Sequence, residues 1–296
     1  MTAVTTRLLG GLGNQMFQYA AARALADRSG SELLLDVSEF ATYHLRRYEL
    51  DTLRVRARVL PAASEQTATL ATPLVRKGRA VWRKLFPARV EQGVPVYREK
   101  SFSFDRGLLE QRPPVLLEGY WQSEKYFLDA AAAIRRDFSV IDEPDAANRA
   151  VLQRMQGTTA VSLHVRRGDY VSNPTAAAYH GTCSPEYYRQ AVDHIAQRCG
   201  QPLTLFVFSD DQDWVRAHMP FAHPTVHVDA NSPDRGVWDM HLMKQCRHHI
   251  VANSSFSWWG AWLNPSPDKI VAAPRRWFTD PAIDTSDLIP AAWVRF

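Results

Sequence analysis

Apolar and polar residues along this chain alternate in short blocks whose period switches between that of a strand and that of a helix. Val4 to Leu9 reads as a short strand, and Gly10-Gly11-Leu12-Gly13-Asn14-Gln15 breaks it. From Met16 to Arg28 the apolar residues Phe17, Ala20, Ala21, Ala24 and Leu25 recur at helical spacing. After Gly30, Glu32-Leu33-Leu34-Leu35-Asp36 reads as a second strand. Strand, glycine-rich turn, helix and strand make a βαβ unit, which predicts a parallel sheet.

The stretch from 40 to 120 is less regular. Pro61, Pro73, Pro87, Pro95 and the Pro113-Pro114 pair predict short elements and insertions there. Glu124 to Phe138 reads as a helix, and Ile141-Asp142-Glu143-Pro144-Asp145 as a linker in which Pro144 blocks helix continuation. Regular alternation begins at 148. A helix runs to Met155 before a strand at 160–165, and a helix from Pro185 to Cys199 precedes a strand from Leu203 to Phe208. Further strands are Val226-His227-Val228, Ile250-Val251-Ala252 and a last one from Lys269 to Ala273, with a helix from Val237 to Cys246. The expected architecture is α/β, with two Rossmann-like domains over 1–145 and 146–296 facing across a cleft.

The 296 residues suffice for real cores, and their apolar content lies well above the disordered range. A formal net charge of +4 suits an anionic small molecule or a membrane surface and is too weak to argue for nucleic acid. No apolar run approaches the roughly 18 residues of a membrane span. The N-terminal residues around Arg7 and Gly10 lack a signal peptide's apolar core, so a cytoplasmic protein is expected. Cys183, Cys199 and Cys246 are scattered and odd in number, which predicts reduced, structurally buried thiols.

Four motifs and two further segments carry candidate chemistry. Leu163-His164-Val165-Arg166-Arg167-Gly168-Asp169-Tyr170 places two guanidiniums after a short buried strand, with a turn expected at Gly168. Such planar forks take a phosphate or carboxylate, and strand C-termini are where open α/β sheets bind ligands. The competing reading is a solvated pair with Asp169 as counter-ion. The turn at 10–15 departs from dinucleotide spacing, because Asn14 and Gln15 stand where a third glycine is required. Gly11 and Gly13 still admit a ligand close to the backbone, while a tight turn capped by Asn14 accounts for the same residues.

Asp210 and Asp211, at a strand end, suit ribose or a base edge, a helix N-cap, or the start of a metal site that nothing nearby completes. Asn253-Ser254-Ser255-Phe256-Ser257-Trp258-Trp259-Gly260 is either a second anion cradle at a helix start or an ordinary cap followed by core aromatics. Asp239, between Trp238 and Met240, fits a base edge with two adjacent donors, such as guanine N1–H and N2–H, or a solvated helix face. The basic run from Arg76 to Phe86, with Val75, Trp82, Leu85 and Phe86 near one helical face, fits an anionic membrane or, as the favoured reading, a solvated face with its aromatics on the core.

Together these motifs resemble the α-1,2-fucosyltransferase family of bacterial surface-polysaccharide and animal glycan enzymes. The matches are Gly10 to Ala20, His164-Val165-Arg166-Arg167-Gly168-Asp169, Phe208-Ser209-Asp210-Asp211, and Asn253 to Gly260 with Ala261-Trp262. The His-x-Arg-Arg-x-Asp element is shared with α-1,6- and protein O-fucosyltransferases; the first and last motifs narrow the match. The resemblance covers most of the chain but not 40–120.

The resemblance implies a GT-B fold with its site between the domains. It implies GDP-β-L-fucose as donor, no metal or other cofactor, and inverting transfer to the 2-hydroxyl of a galactose-type acceptor, such as a lipid-linked oligosaccharide, in O-antigen synthesis. Carried over by position, Arg166 binds the donor's β-phosphate and stabilises the leaving GDP, while Ser254, Ser255 and Phe256 hold the diphosphate from the other side. His164 and Asp239 read guanine, and Asp210 or Asp211 supports the nucleotide or the network around it. Asn14 reaches toward fucose or the attacked hydroxyl, and Asp169 is the candidate base. The alternatives are transfer from another GDP-sugar or in another linkage, and a non-catalytic nucleotide-sugar-binding protein.

Overall fold

The computed structural model describes residues 2–42, 46–60 and 93–296, apart from the side chain of Asp169. These residues fall into two compact units, one of Met1–Asp51, Val55–Trp121 and Lys125–Ile134, the other of Thr52–Arg54, Gln122–Glu124 and Arg135–Phe296. Each is built on its own parallel sheet, the two-unit α/β architecture of the GT-B class.

In the first unit, β1 (Ala3–Arg7), α1 (Leu12–Ser29) and β2 (Glu32–Asp36) form the βαβ element expected from the sequence. The strands β3 (Arg58–Leu60), β4 (Val96–Arg98) and β5 (Val115–Glu118) complete a sheet of order β3-β2-β1-β5-β4. Every neighbouring pair is parallel. Helix α1 begins four residues before the expected Met16, because Leu12 is buried and Gly11 serves as N-cap. It ends where Gly30 turns left-handed at φ 63°, a conformation glycine adopts without Cβ strain.

The segment expected as one helix from Glu124 to Phe138 is instead two 3-10 turns, Glu124–Tyr126 and Leu128–Ala130, followed by α2 (Ala131–Asp137). Phe127 leaves helical geometry at φ −139° and ψ 13°. Its ring buries against Phe17, while that of Tyr126 packs on Trp121 and Phe104. Burying two adjacent large rings in different surroundings outweighs the hydrogen bonds of one continuous helix.

The second unit runs α3 (Ala146–Met155), β6 (Thr159–Val165), α4 (Gly168–Ser172), α5 (Pro174–His180), α6 (Pro185–Cys199), β7 (Leu203–Ser209), α7 (Gln212–His218), β8 (Thr225–Val228), α8 (Gly236–Gln245), β9 (His248–Ile250), α9 (Ser255–Trp262), β10 (Val271–Ala273) and β11 (Val294–Arg295). Its sheet has the order β8-β7-β6-β9-β10-β11, which is the Rossmann order. The switch point falls between β6 and β9, where successive connections leave in opposite directions.

Strand β6 is buried along its whole length, as a central parallel strand must be. Val161, Leu163 and Val165 join Tyr187, Tyr188, Ala191, Val192 and Ile195 of α6 on one face. On the other, Ala160 packs with Phe206 and Phe208 of β7, Val151 and Met155 of α3, and Leu242 and Met243 of α8. Helix α6 keeps the boundaries read from sequence: Ser184 caps Tyr187 N–H, Pro185 opens it, and Gly200 closes it left-handed.

Further elements depart from expectation. Gly168 opens α4 rather than forming a turn, the strand expected at Ile250-Val251-Ala252 is β9 at His248–Ile250, and β11, which pairs parallel with β10, follows the strand expected to be last. Cys183, Cys199 and Cys246 are free thiols, the last buried and the others half-buried. Among the described residues no helix is long and apolar enough to cross a membrane.

Candidate active site

The C-terminal ends of β6, β7 and β9 bring three of the sequence motifs to one edge of the second sheet. In a sheet of this order the crevice outside those strand ends, at the switch point, is where ligands bind. Arg166 and Arg167 leave β6 there. Their counter-ions come from the neighbouring strand rather than from next door in sequence. Arg166 Nη1 lies 2.9 Å from Asp210 Oδ2, and Arg167 Nε donates to Asp211 Oδ2 at 3.0 Å. Asp210 Oδ1 also accepts the Arg167 N–H at 2.8 Å, which fixes the turn itself.

The two arginines are held differently. The Arg167 guanidinium lies over the Trp214 ring, 3.7 Å from its centroid, and Asp211 is committed as the N-cap of α7 through Trp214 N–H. Arg167 is therefore a clamped, structural cation. Arg166 lies 5.5 Å from the Tyr170 ring centroid and keeps about a quarter of its side-chain surface exposed, at 24%. Gly168 is required beneath this pair, because a Cβ there would stand 2.6 Å from Asp210 Oδ2. Gly168→Ala is expected to push Asp210 off Arg166 and lower activity about tenfold or more, since small misplacements of charge at a reacting centre are costly; steady-state turnover beside a thermal melt tests it.

Across the switch point, α9 starts at Ser255 with its N-terminal amides at the same sheet edge. Ser254 is its N-cap and accepts the Phe256 N–H at 3.3 Å; Ser255 and Phe256 form the first turn. Trp258 and Trp259 are fully buried, the core role that is one of the two readings of this segment. The Phe256 ring centroid lies 5.6 Å from that of His164, and a Cβ added at Gly236, the first residue of α8, would stand 3.6–3.8 Å from the Phe256 ring, so the two are neighbours.

His164 is buried, and burial pushes its imidazole down to about 4, so it is neutral at physiological pH. Its Nδ1 has no hydrogen-bond partner among the described residues. A buried nitrogen left so costs about 1–3 kcal/mol until a ligand or water meets it. One helical turn into α8, Asp239 is half-buried and accepts from Asn231 Nδ2 at 2.8 Å. Burial pushes its carboxyl up to about 6, and the Asn231 hydrogen bond works in the opposite direction.

In the first unit the glycine-rich turn follows β1, the middle strand of its sheet. Gly11, not Asn14, takes the N-cap position, and no side chain caps it. Asn14 stands in the first turn of α1, beside Gly10, whose φ of 79° and missing Cβ accommodate it. Gln15, fully buried, braces the turn: its Nε2 donates to Gly10 O at 2.9 Å and Arg47 O at 2.8 Å, and its Oε1 accepts Glu49 N–H. Gln15→Leu is expected to destabilise the protein by about 1–3 kcal/mol, because it leaves those backbone groups without their partner; urea unfolding measures it.

The structure thus gathers His164, Arg166, Asp210, Asp211, Asp239, Ser254, Ser255 and Phe256 in the second unit, and places Gly11, Gly13 and Asn14 in the first. Asp169 lies within α4, and its side chain is outside the described part of the structure, as is the basic segment 76–86. Asn253 is buried and structural. It donates to the carbonyls of His180, Gly181 and Trp277, and its own carbonyl accepts from Tyr170, tying α4 and α5 to the start of α9. Trp214, Asn231 and Asn148 were not among the sequence candidates. Only the Asp145-x-x-Asn148 capping pattern gave a local signal for any of them.

Two parallel α/β units, the second in Rossmann order with a cation and a helix N-terminus at its switch point, place the chain structurally with the GT-B glycosyltransferases. The chain belongs to glycosyl transferase family 11, whose model matches residues 77–295. It is 33% identical to the α-1,2-colitosyltransferase of Escherichia coli over 100% of this chain and 99% of that one. It is 34% identical to the O-antigen biosynthesis glycosyltransferase WbnK of Escherichia coli, over 97% and 98%. The galactoside α-(1,2)-fucosyltransferase 1 of Aotus azarae is 26% identical over 86% of this chain, which spans 63% of that longer protein. Among solved structures, a GDP complex of Arabidopsis thaliana FUT1 aligns over 98% of this chain and 74% of its own, at 12% identity and a TM-score of 0.50, a likeness of fold.

Proposed function

We propose that this glycosyltransferase moves L-fucose, or a close relative of it, from its GDP-β form to the 2-hydroxyl of a galactose-type acceptor. The product is an α-1,2 linkage formed with inversion, within the assembly of O-antigen or a similar surface polysaccharide. The observation that carries the reading is Arg166, oriented by Asp210 at the Rossmann switch point with the N-terminus of α9 across from it. Transfer breaks the bond between the sugar's anomeric carbon and the diphosphate, and negative charge builds on the departing GDP. A fixed guanidinium and helix-terminal amides are the groups that stabilise such charge. In this reading they do so without a divalent metal.

His164, Phe256 and Asp239 supply a wall for the base: an apolar ring, a neutral imidazole and a carboxylate that suits guanine's paired N1–H and N2–H. The Ser254 hydroxyl and the first amides of α9 take the diphosphate. Asn14 meets the sugar or the attacked hydroxyl, and Asp169 takes the acceptor's proton as the new bond forms. The names of the three α-1,2 or O-antigen enzymes, and the GDP bound by the structural neighbour, support the donor class and linkage by analogy.

The colitosyl relative favours a second reading in which the donor sugar is colitose, which lacks the 3-hydroxyl of fucose. GDP release from GDP-fucose and from GDP-colitose, in EDTA, with and without β-galactosides such as lactose and N-acetyllactosamine, separates the two. Acceptor-dependent release without metal is expected, and the faster donor names the sugar. Binding of neither donor by folded protein would overturn the proposal.

A further inference from the structure

The carboxylate of Asp239 is not placed by α8 alone. Asn231 Nδ2 donates to Asp239 Oδ1 at 2.8 Å and to Asn148 Oδ1 at 2.9 Å. Asn148 Nδ2 donates back to Asn231 Oδ1 at 3.0 Å and to Asp145 Oδ1 at 2.9 Å. Asp145 in turn accepts Asn148 N–H at 2.9 Å and Arg235 Nη1 at 2.8 Å.

An ionised carboxylate only accepts, so the two ends of this chain dictate the orientation of both amides. Asn148 must show its NH2 group to Asp145 and therefore its carbonyl to Asn231. Asn231, having answered that carbonyl with one N–H, has its other N–H committed to Asp239. Asn148 is fully buried, so water offers no alternative arrangement. The result is a relay with one allowed polarity, running from the cap of α3 to a single oxygen of Asp239.

The geometry points to Asn231, locked by Asn148 and Asp145, as a positioning residue for donor recognition: it fixes the plane of the Asp239 carboxylate for a bidentate contact with guanine. This inference rests on the reading of Asp239 as the guanine acceptor. A two-point contact to N1–H and N2–H needs one carboxylate plane, and a fixed plane spares the entropy of finding it.

The hydrogen bond has a second consequence, because it favours the ionised form against the burial that raises Asp239. The titratable and charged groups joined to Asp239 by the relay or near it in sequence are Asp145 at the cap of α3, Asp234 and Arg235 in the turn before α8, and, farther along α8, Lys244 and His241, which burial pushes down to about 4 and so keeps neutral. Arg235 is committed to Asp145. Removing the Asn231 donor therefore moves Asp239 further up.

The test is calorimetric binding of GDP-fucose across about pH 5.5 to 8.5, with steady-state kinetics, on the full chain. The donor's diphosphate diester does not titrate in that window. Asn231→Leu is expected to weaken donor binding about tenfold near pH 6.5. It should move the acid limb of binding to higher pH and raise donor KM, while kcat at saturating donor stays within about twofold. Added to Asp239→Asn it should weaken nothing further.

Asn148→Ala acts through Asn231 and gives the same shift, and serves if Asn231→Leu does not fold. An unmoved acid limb, or equal losses in kcat and affinity at every pH, overturns the positioning role. The base reading then still stands if Asp239→Asn loses the donor. Wild-type donor binding by Asp239→Asn at every pH defeats the base reading itself.

Discussion

Arg166→Ala is expected to lower turnover by about 10²–10³ while leaving the protein folded, because in the proposed reading a fixed cation is then missing where charge develops on the leaving diphosphate. Removal also inverts the local field. In the proposed reading Asp210, left with the Arg167 N–H as its hydrogen-bond donor among the described residues, then meets the donor's phosphates as an uncompensated carboxylate. Adding Asp210→Asn to Arg166→Ala is therefore expected to recover donor affinity but not kcat. Arg166→Lys keeps the charge and loses the planar fork, so an intermediate loss is expected. Arg167→Ala gives the contrast: its guanidinium is committed to Asp211 and stacked on Trp214. Its loss is expected mainly as about 1–3 kcal/mol of stability. Turnover and urea unfolding on the same four proteins decide the assignment, and an Arg166→Ala variant that retains half its activity would remove Arg166 from the site.

The contrast between the two arginines was not legible in the chain. Sequence places Arg166 and Arg167 after a buried strand and offers Asp169 as the nearby counter-ion. The partners are Asp210 and Asp211, more than forty residues away, because β6 and β7 pair in register from Thr159 with Leu203 to Val165 with Ser209. That register carries the two motifs to the same level at the sheet edge. Strand pairing is non-local, so the motifs could be read separately but their contact could not.

Elements set by local signals were legible. Helix α6 has a capping Ser, a proline at its first position, a glycine at its end and one continuous apolar stripe. The breaks came where tertiary contacts override local preference. Phe127 abandons helical geometry to bury its ring, and α4 and α5 fold on the Asn253 anchor rather than on a stripe of their own. The polar relay to Asp239 escaped for the same reason as the arginine partners. Asp145 caps α3 and Asn148 lies in its first turn, Asn231 precedes α8, and the packing of α3 against α8 brings them together.

Asp239→Asn is expected to act with opposite signs on stability and on donor binding. With its carboxyl raised to about 6 from the usual carboxylate range, the folded protein binds a proton that the unfolded chain has released between about pH 4 and pH 6. The stability this supplies is fully present below the unfolded value and is lost as pH rises through about 6. At neutral pH the donor-free protein thus carries an ionised, half-buried Asp239 at a cost on the order of 1–3 kcal/mol. Asparagine removes that charge and still accepts from Asn231, so the variant's melting temperature without donor should rise at about pH 8 and match the wild type near about pH 4. In the proposed reading GDP-fucose needs the carboxylate ionised. Wild-type affinity should be flat above about pH 7 and fall by up to about tenfold per pH unit below about 6, with the donor-induced rise in melting temperature shrinking in step. In Asp239→Asn both the acid limb and most of that rise should vanish. Thermal melts at four pH values, with and without GDP-fucose, read both effects together. A variant that melts higher yet still gains the full donor shift would separate the buried charge from base recognition and leave Asp239 with a structural role alone.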